Sequence, residues 1–137
     1  MPRHKLEVDY DYDFFLVGVS CHEKDYRFVW SVNQALGADF SRAQSLEIKE
    51  KSQKGNFQVF HFADEEMHAD YYIVQNKNET GILVPEKKTA DYLLLVKGDL
   101  YDELKEKIIS RIKTIKQVLT AFEIFPAELK SKQHLIF

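Results

Sequence analysis

Between positions 46 and 97 five short strand candidates follow one another, at 46–50, 56–62, 69–75, 81–84 and 91–97. The breaks between them carry turn chemistry, plainest at Lys54-Gly55-Asn56, Asn76-Lys77-Asn78 and Thr80-Gly81. Glycine admits positive φ there, and asparagine bonds its own backbone. Spacers this short join antiparallel neighbours, because a parallel pair needs a crossover of about a dozen residues or more. An antiparallel meander is the frame into which the rest of the chain must fit.

The flanking segments supply a strand and two helices. Leu6, Val8, Tyr10, Tyr12 and Phe14 alternate with Glu7, Asp9, Asp11 and Asp13, a period of two that predicts a strand over 6–20 with one wet face at its start. From Phe15 both sides turn apolar, and Gly18 marks a bulge or a close backbone approach. Ser20 and Glu23 have the spacing of a capping box. A helix over 20–36 follows, with Phe28, Val29, Val32 and Leu36 on one stripe and Gly37 placed to end it. Residues 38–45 read as a loop. A long helix over 99–122 takes Asp99 as its N-cap and steps through Leu100, Leu104, Ile108, Ile112, Ile115, Leu119 and Phe122. Its acids, Asp102 and Glu103, come first and its bases, Lys105, Lys107, Arg111, Lys113 and Lys116, later, as the macrodipole prefers. Pro126 stops it, and the tail 126–137 ends in Leu135-Ile136-Phe137. The order β-α-β-β-β-β-β-α predicts one α+β domain over 1–137, an antiparallel sheet of about six strands with two helices on one face.

Two helices on one face should leave the other face wet and the strands strictly alternating. They are not. Phe60 and Phe62 oppose Phe57 and Val59, Tyr71 and Ile73 oppose Tyr72 and Val74, and Tyr92, Leu94 and Val96 oppose Leu93 and Leu95. Each large apolar side chain gains roughly 1.5–3 kcal/mol by burial, so the second face needs a cover. Three covers fit: a second copy packed sheet to sheet, a curled sheet gripping the long helix around an apolar ligand, or terminal segments folded back. The end Leu135-Ile136-Phe137 points to the last.

At 137 residues, 45% of them hydrophobic and 30% charged, the chain fits one globular domain that needs no covalent staple. A net charge of −3 gives no field to attract nucleic acid. Cys21 is the only cysteine, which excludes an internal disulfide and a cysteine-based zinc cluster. The polar start Met1-Pro2-Arg3-His4-Lys5-Leu6-Glu7 lacks the apolar stretch of a signal peptide, and the apolar runs 14–17 and 93–96 are too short to span a bilayer. The expectation is a cytoplasmic protein with neither a membrane nor a nucleic-acid partner.

The segment Val84-Pro85-Glu86-Lys87-Lys88-Thr89-Ala90-Asp91-Tyr92 resembles the signature of the bacterial IPExxxVDY family. Pro85, Glu86, Asp91 and Tyr92 stand at that family's spacing, with Val84 in place of Ile and Ala90 in place of Val. The stretch from Asp11-Tyr12-Asp13-Phe14 to Ser20-Cys21-His22-Glu23-Lys24-Asp25-Tyr26-Arg27 is similar to its N-terminal part. The family is uncharacterised, so the resemblance implies no activity, cofactor or partner. Read physically, Pro85 ends a strand, 86–90 form a polar loop, and Asp91 bonds loop amides. Glu86 and Tyr92 are candidates to line a pocket, against the plainer alternative of a loop charge and a sheet aromatic.

Other candidates are weighed the same way. Cys21 stands near the start of the first helix with His22 beside it, a reactive thiol or a small buried one. His61, Asp64, Glu65, Glu66 and His68 match no ligand spacing and read better as a solvated turn. Asp9, Asp11 and Asp13 recur at roughly 7 Å along a strand but lack the glycine and terminal glutamate of a calcium loop. The bases of the last helix spread around its polar side as a solvated face does. No phosphate-binding glycine loop or nucleophile elbow is present. The resulting expectation is a non-enzymatic interaction module that self-associates through its apolar second face, as a homodimer or with another protein. A helix-grip binder of a small apolar molecule is the alternative, and an enzyme using Cys21, His22 or Glu86 the third. No metal or cofactor is expected; the candidate interaction residues are Glu86, Asp91, Tyr92, Cys21 and His22.

Overall fold

The computed structural model describes residues 14–50 and 54–135; the alternating segment 6–13, with Asp9, Asp11 and Asp13, and the terminal Ile136-Phe137 lie outside them. In chain order the elements are β1 Phe15–Cys21, α1 Asp25–Leu36, β2 Ser41–Arg42, β3 Leu46–Lys49, β4 Lys54–Phe57, β5 Val59–Asp64, β6 Ala69–Gln75, β7 Lys77–Asn78, β8 Gly81–Ile82, β9 Tyr92–Lys97, α2 Asp102–Lys113 and β10 Val118–Ile124. Short 3-10 turns occupy Pro85–Lys87, Pro126–Glu128 and Lys132–Leu135. The main sheet has six strands in the order β10-β1-β9-β6-β5-β2, each neighbouring pair antiparallel. The fold is α+β, as the order of elements requires. Among the described residues no helix is long and apolar enough to cross a membrane.

The sheet's membership differs from the expected one. The 46–50 candidate pairs with β4 in a separate hairpin, and the 81–84 candidate leaves β8 paired with β7 in another. The 56–62 candidate breaks at Gln58 into β4 and β5. Their places at the sheet's edges go to β2, from the expected loop, and to β10, from the expected long helix.

The long helix is the clearest correction. It begins after Tyr101, not at Asp99, and ends at Lys113, where Thr114 turns back and its hydroxyl bonds the Arg111 carbonyl at 2.6 Å. Residues 118–124 then pair with β1 from Leu16↔Ile124 to Cys21↔Val118. Val118, Phe122 and Ile124 are good strand formers, and their spacing with Ile115 also suits a helix. Tertiary demand decides between the two. β1 is fully buried at Leu16, Val17 and Val19, and its outer backbone groups need partners that only another strand supplies. The first helix is likewise shorter than 20–36, because Ser20 and Cys21 remain in β1 and Ser20 Oγ donates to the Thr89 carbonyl at 2.8 Å. Gly37, with φ 64°, ends α1 as anticipated. At Gly18 the close approach is real: an added Cβ would stand 2.8 Å from the Phe122 ring. The bulge lies further along, where Ser20 pairs Thr120, Cys21 pairs Val118 and Leu119 is passed over.

Both helices cover one face. Phe28, Val29 and Val32 of α1 and Ile108 and Ile112 of α2 bury Val17, Val19, Ile73, Leu94 and Val96. The opposite face, with Leu16, Val59, Val74, Leu93 and Leu95, is buried under the β3–β4 hairpin (Ile48, Phe57), the 83–90 segment (Leu83, Val84, Ala90) and the C-terminal stretch (Leu129, Leu135). The chain thus covers its own second face, and a sheet-to-sheet homodimer would have to displace that cover.

One polar side chain, Asn76, joins the cover to the sheet, and two more, His134 and Glu86, join the cover's segments to one another. Asn76, fully buried, donates to the Lys87 and Ala90 carbonyls at 3.0 and 2.8 Å and accepts from the Val84 amide at 2.8 Å. His134, buried, contacts the Leu83 carbonyl through Nδ1 at 2.9 Å and the Glu50 carboxylate through Nε2 at 3.2 Å. Glu86 holds the C-terminal stretch. Replacing Asn76 by Leu strands the buried Ala90 carbonyl and Val84 amide, each unmade bond costing about 1–3 kcal/mol, and leaves the Lys87 carbonyl with the Ala90 amide alone. Asn76→Leu should therefore lower unfolding stability by about 3 kcal/mol or more in a denaturant titration.

Candidate functional site

The residues singled out by the sequence are cross-links. Asp91 Oδ2 accepts the Cys21 amide at 2.8 Å, and Oδ1 lies 3.3 Å from Lys77 Nζ. The Asp91 backbone ties into the sheet on both sides, its amide to the Val19 carbonyl and its carbonyl to the Asn76 amide. Tyr92 stacks on Phe28 of α1 with ring centroids 4.4 Å apart, and its hydroxyl donates to the Glu23 carbonyl at 2.5 Å. Burial, with nearby carboxylates led by Asp25, pushes the Tyr92 phenol well up. Asp91 and Tyr92 thus fix the passage from β1 into α1.

Cys21, His22 and Asp91 do converge, with His22 Nε2 3.9 Å from Asp91 Oδ2. They do not make a nucleophilic site. Cys21 is buried while His22 is exposed, and burial raises the thiol's pKa, with the Glu23 and Asp91 carboxylates adding to it. A thiolate is disfavoured there. His61 and Asp64 project from opposite faces of β5, and His61 Nε2 pairs instead with Asp70 at 2.8 Å. Among the described residues no group of three His, Cys, Asp or Glu is arranged to hold a metal.

Glu86 lies apart from these residues. Partial burial pushes its carboxyl up, but the opposing hydrogen bonds from its own amide, the Ser131 amide and hydroxyl, and the Lys130 amide win, and its pKa falls below the ordinary glutamate value. The Ser131 contacts are both 2.9 Å. This is a clamp on the C-terminal segment.

The arrangement with spare binding capacity lies on the helix side, in a cleft of about 320 Å³. α1 ends there at Leu36, and the chain turns through Gly37 into Ala38. Asn33 fixes that turn by accepting the Phe40 amide at 2.8 Å. The opposite wall is one face of α2, where Leu104, Lys107, Ile108 and Arg111 recur at helical spacing. β5, β6 and their connecting turn close the third side with Phe62, Asp64, Glu66 and Tyr71. The rings of Phe40, Phe62 and Tyr71 lie 5.6–6.3 Å apart and brace one another.

Tyr71 is the unusual member. Only 6% of it is exposed, yet its hydroxyl has no hydrogen-bond partner among the described residues. Burial raises its pKa, and the Asp64 carboxylate raises it further. The phenol therefore stays protonated at neutral pH, a donor and acceptor facing a space that Asp64 also lines. On sequence Asp64 and Glu66 stand out only as metal ligands and Lys107 and Arg111 only as a basic helix face, and Tyr71 is not a site candidate. The available signal is the i, i+4 pair Lys107 and Arg111 interleaved with the apolar pair Leu104 and Ile108, with a tyrosine on the helix-facing side of β6.

The Glu86 clamp carries a pH signature. A folded pKa below the unfolded one contributes stability above the unfolded value, which is lost as pH falls through the folded value. Glu86 is solvent-exposed, so screening keeps the effect local. Below about pH 4, amide exchange across 129–135 should quicken while the sheet stays protected. Glu86→Gln should show that faster exchange already at neutral pH.

No protein-family model matches this chain, nor does any curated protein or any solved structure. The chemistry of the cleft is therefore the guide to function.

Proposed function

We propose that this protein binds a small amphipathic molecule in the cleft between α1, α2 and the β5–β6 end of the sheet. The observation that carries this reading is Tyr71, 6% exposed, whose hydroxyl has no hydrogen-bond partner among the described residues, beside the apolar Phe62, Leu104 and Ile108. An unsatisfied buried polar group costs about 1–3 kcal/mol, which a ligand's polar atom would recover. A cleft of about 320 Å³ is at the small end of the usual range, roughly 300–1,000 Å³, and suits a compact molecule. Leu36, Phe62, Leu104 and Ile108 offer apolar contact while the Tyr71 hydroxyl and four charged side chains supply polar points, a combination that suits an amphipathic ligand. A fragment screen followed by amide chemical shifts should find binders that perturb Gly37, Tyr71, Leu104 and Ile108. Tyr71→Phe should weaken a binder that engages the hydroxyl about tenfold, near 1.4 kcal/mol. Perturbations clustered elsewhere would overturn the proposal.

A second reading, self-association, draws on the β10 edge. Among the described residues β10 ends the sheet and carries one charge, Glu123, in seven residues, while Leu119 is 68% exposed and Phe125 beyond it 56% exposed. Uncovered edges invite pairing with another strand. A β10-to-β10 homodimer predicts a mass in light scattering that falls to the monomer in Leu119→Lys, which puts a charge on the exposed edge. A wild-type monomer at high concentration would remove this reading.

A further inference from the structure

We infer that the cleft's ligand is a zwitterion with an apolar body, of the charge layout of an apolar or aromatic α-amino acid. This rests on the cleft being a binding site and adds the class of molecule it takes. The two sides of the cleft have opposite sign: Lys107 and Arg111 stand on α2, Asp64 and Glu66 on β5 and the turn after it. Among the described residues none of the four closes an ion pair within 4 Å. Arg111 reaches only the Ala35 carbonyl, at 3.4 Å, and Asp64 only the Met67 amide, at 3.3 Å. Two cations and two carboxylates thus line one small space with their charges unspent on each other.

That layout selects among ligands. A simple anion meets Lys107 and Arg111 favourably but approaches Asp64 and Glu66 at a cost; a simple cation meets the reverse. An uncharged hydrocarbon fills the floor between Leu104, Ile108 and Phe62 but leaves the Tyr71 hydroxyl unpaired. A molecule with both charges at one end satisfies both sides at once, its apolar side chain lying on Phe62 and Ile108. The guanidinium suits a carboxylate, which it can grip with two donors. The size of the cleft limits the body to about one ring or one branched chain. Lys107, Arg111 and Glu66 are exposed, so screening keeps the preference modest, on the order of tenfold.

The test uses three probes on the full chain, followed by amide chemical shifts: L-phenylalanine, 3-phenylpropanoate, which lacks the ammonium, and 2-phenylethylamine, which lacks the carboxylate. L-Phenylalanine should perturb Gly37, Tyr71 and Ile108 with a Kd about tenfold below those of the other two. Arg111→Gln should erase its advantage over 2-phenylethylamine, and Asp64→Asn its advantage over 3-phenylpropanoate. Asparagine keeps the acceptor for the Met67 amide, and the dispersion of the remaining shifts reports that each variant is folded. If a singly charged probe binds the cleft as tightly as L-phenylalanine, the zwitterion inference falls and the cleft reading stands. If none of the three perturbs these residues at millimolar concentration, while a fragment of another class does, the inference falls alone. If no compound of any class perturbs them, both fall.

Discussion

Every polar atom of the Asn76 side chain is bonded, and none of the residue is exposed. The residue follows directly on β6 and reaches the carbonyls and amide of the 84–90 segment. Its own amide bonds Asp91, at the start of β9. One residue, through its side chain and its amide, therefore ties a central strand, the cover of the second face and the next central strand together. The cover matters because the sheet is apolar on both sides. Water against Leu93, Leu95 and Val74 would cost more than ordering the segments that shield them. Apolar segments alone, however, do not fix a unique cover. Asn76, His134 and Glu86 give it a register by directed bonds in a place where unsatisfied polar atoms are expensive.

This division of labour bears on the conspicuous Pro85-Glu86 and Asp91-Tyr92 residues. They lie where the cover meets the sheet and where β1 passes into α1, and their polar atoms are occupied by backbone groups, the Ser131 hydroxyl and Lys77. A carboxylate saturated by amides holds the chain and has little left for a ligand. Unspent polar groups collect elsewhere, where α1 stops at Gly37 while β5 and β6 run on. A gap there follows from the mismatch between helix and strand lengths, and Tyr71 gives the gap a chemical character that phenylalanine would not.

Local pattern was legible wherever it reports on the chain's nearest neighbours. The alternation at Phe60 and Phe62 against Phe57 and Val59, and at Tyr92, Leu94 and Val96 against Leu93 and Leu95, sorts these residues onto the two faces they occupy. Gly37 ends α1 as its backbone freedom suggests. The pattern misled at Leu119 and Phe122, whose spacing continues the stripe of α2 although the residues belong to a strand. Both periods fit a segment that short, and the unmet backbone of β1 chose the strand. The cleft was hidden for a related reason: Lys107 and Arg111 look solvated until α2 is placed opposite Asp64 and Tyr71.

Local pattern in the chain was enough to specify an antiparallel α+β fold, a sheet apolar on both faces and helices that shield one of them. These follow from short-range periodicity and turn chemistry, which depend on residues a few positions apart. Long-range packing settled that β10 rather than a longer helix completes the sheet and that the chain covers its own second face. It also decided that a cleft with both signs of charge opens beside Tyr71. Those outcomes depend on which distant segment lies opposite a given residue, and side-chain period carries no information about the partner across the gap.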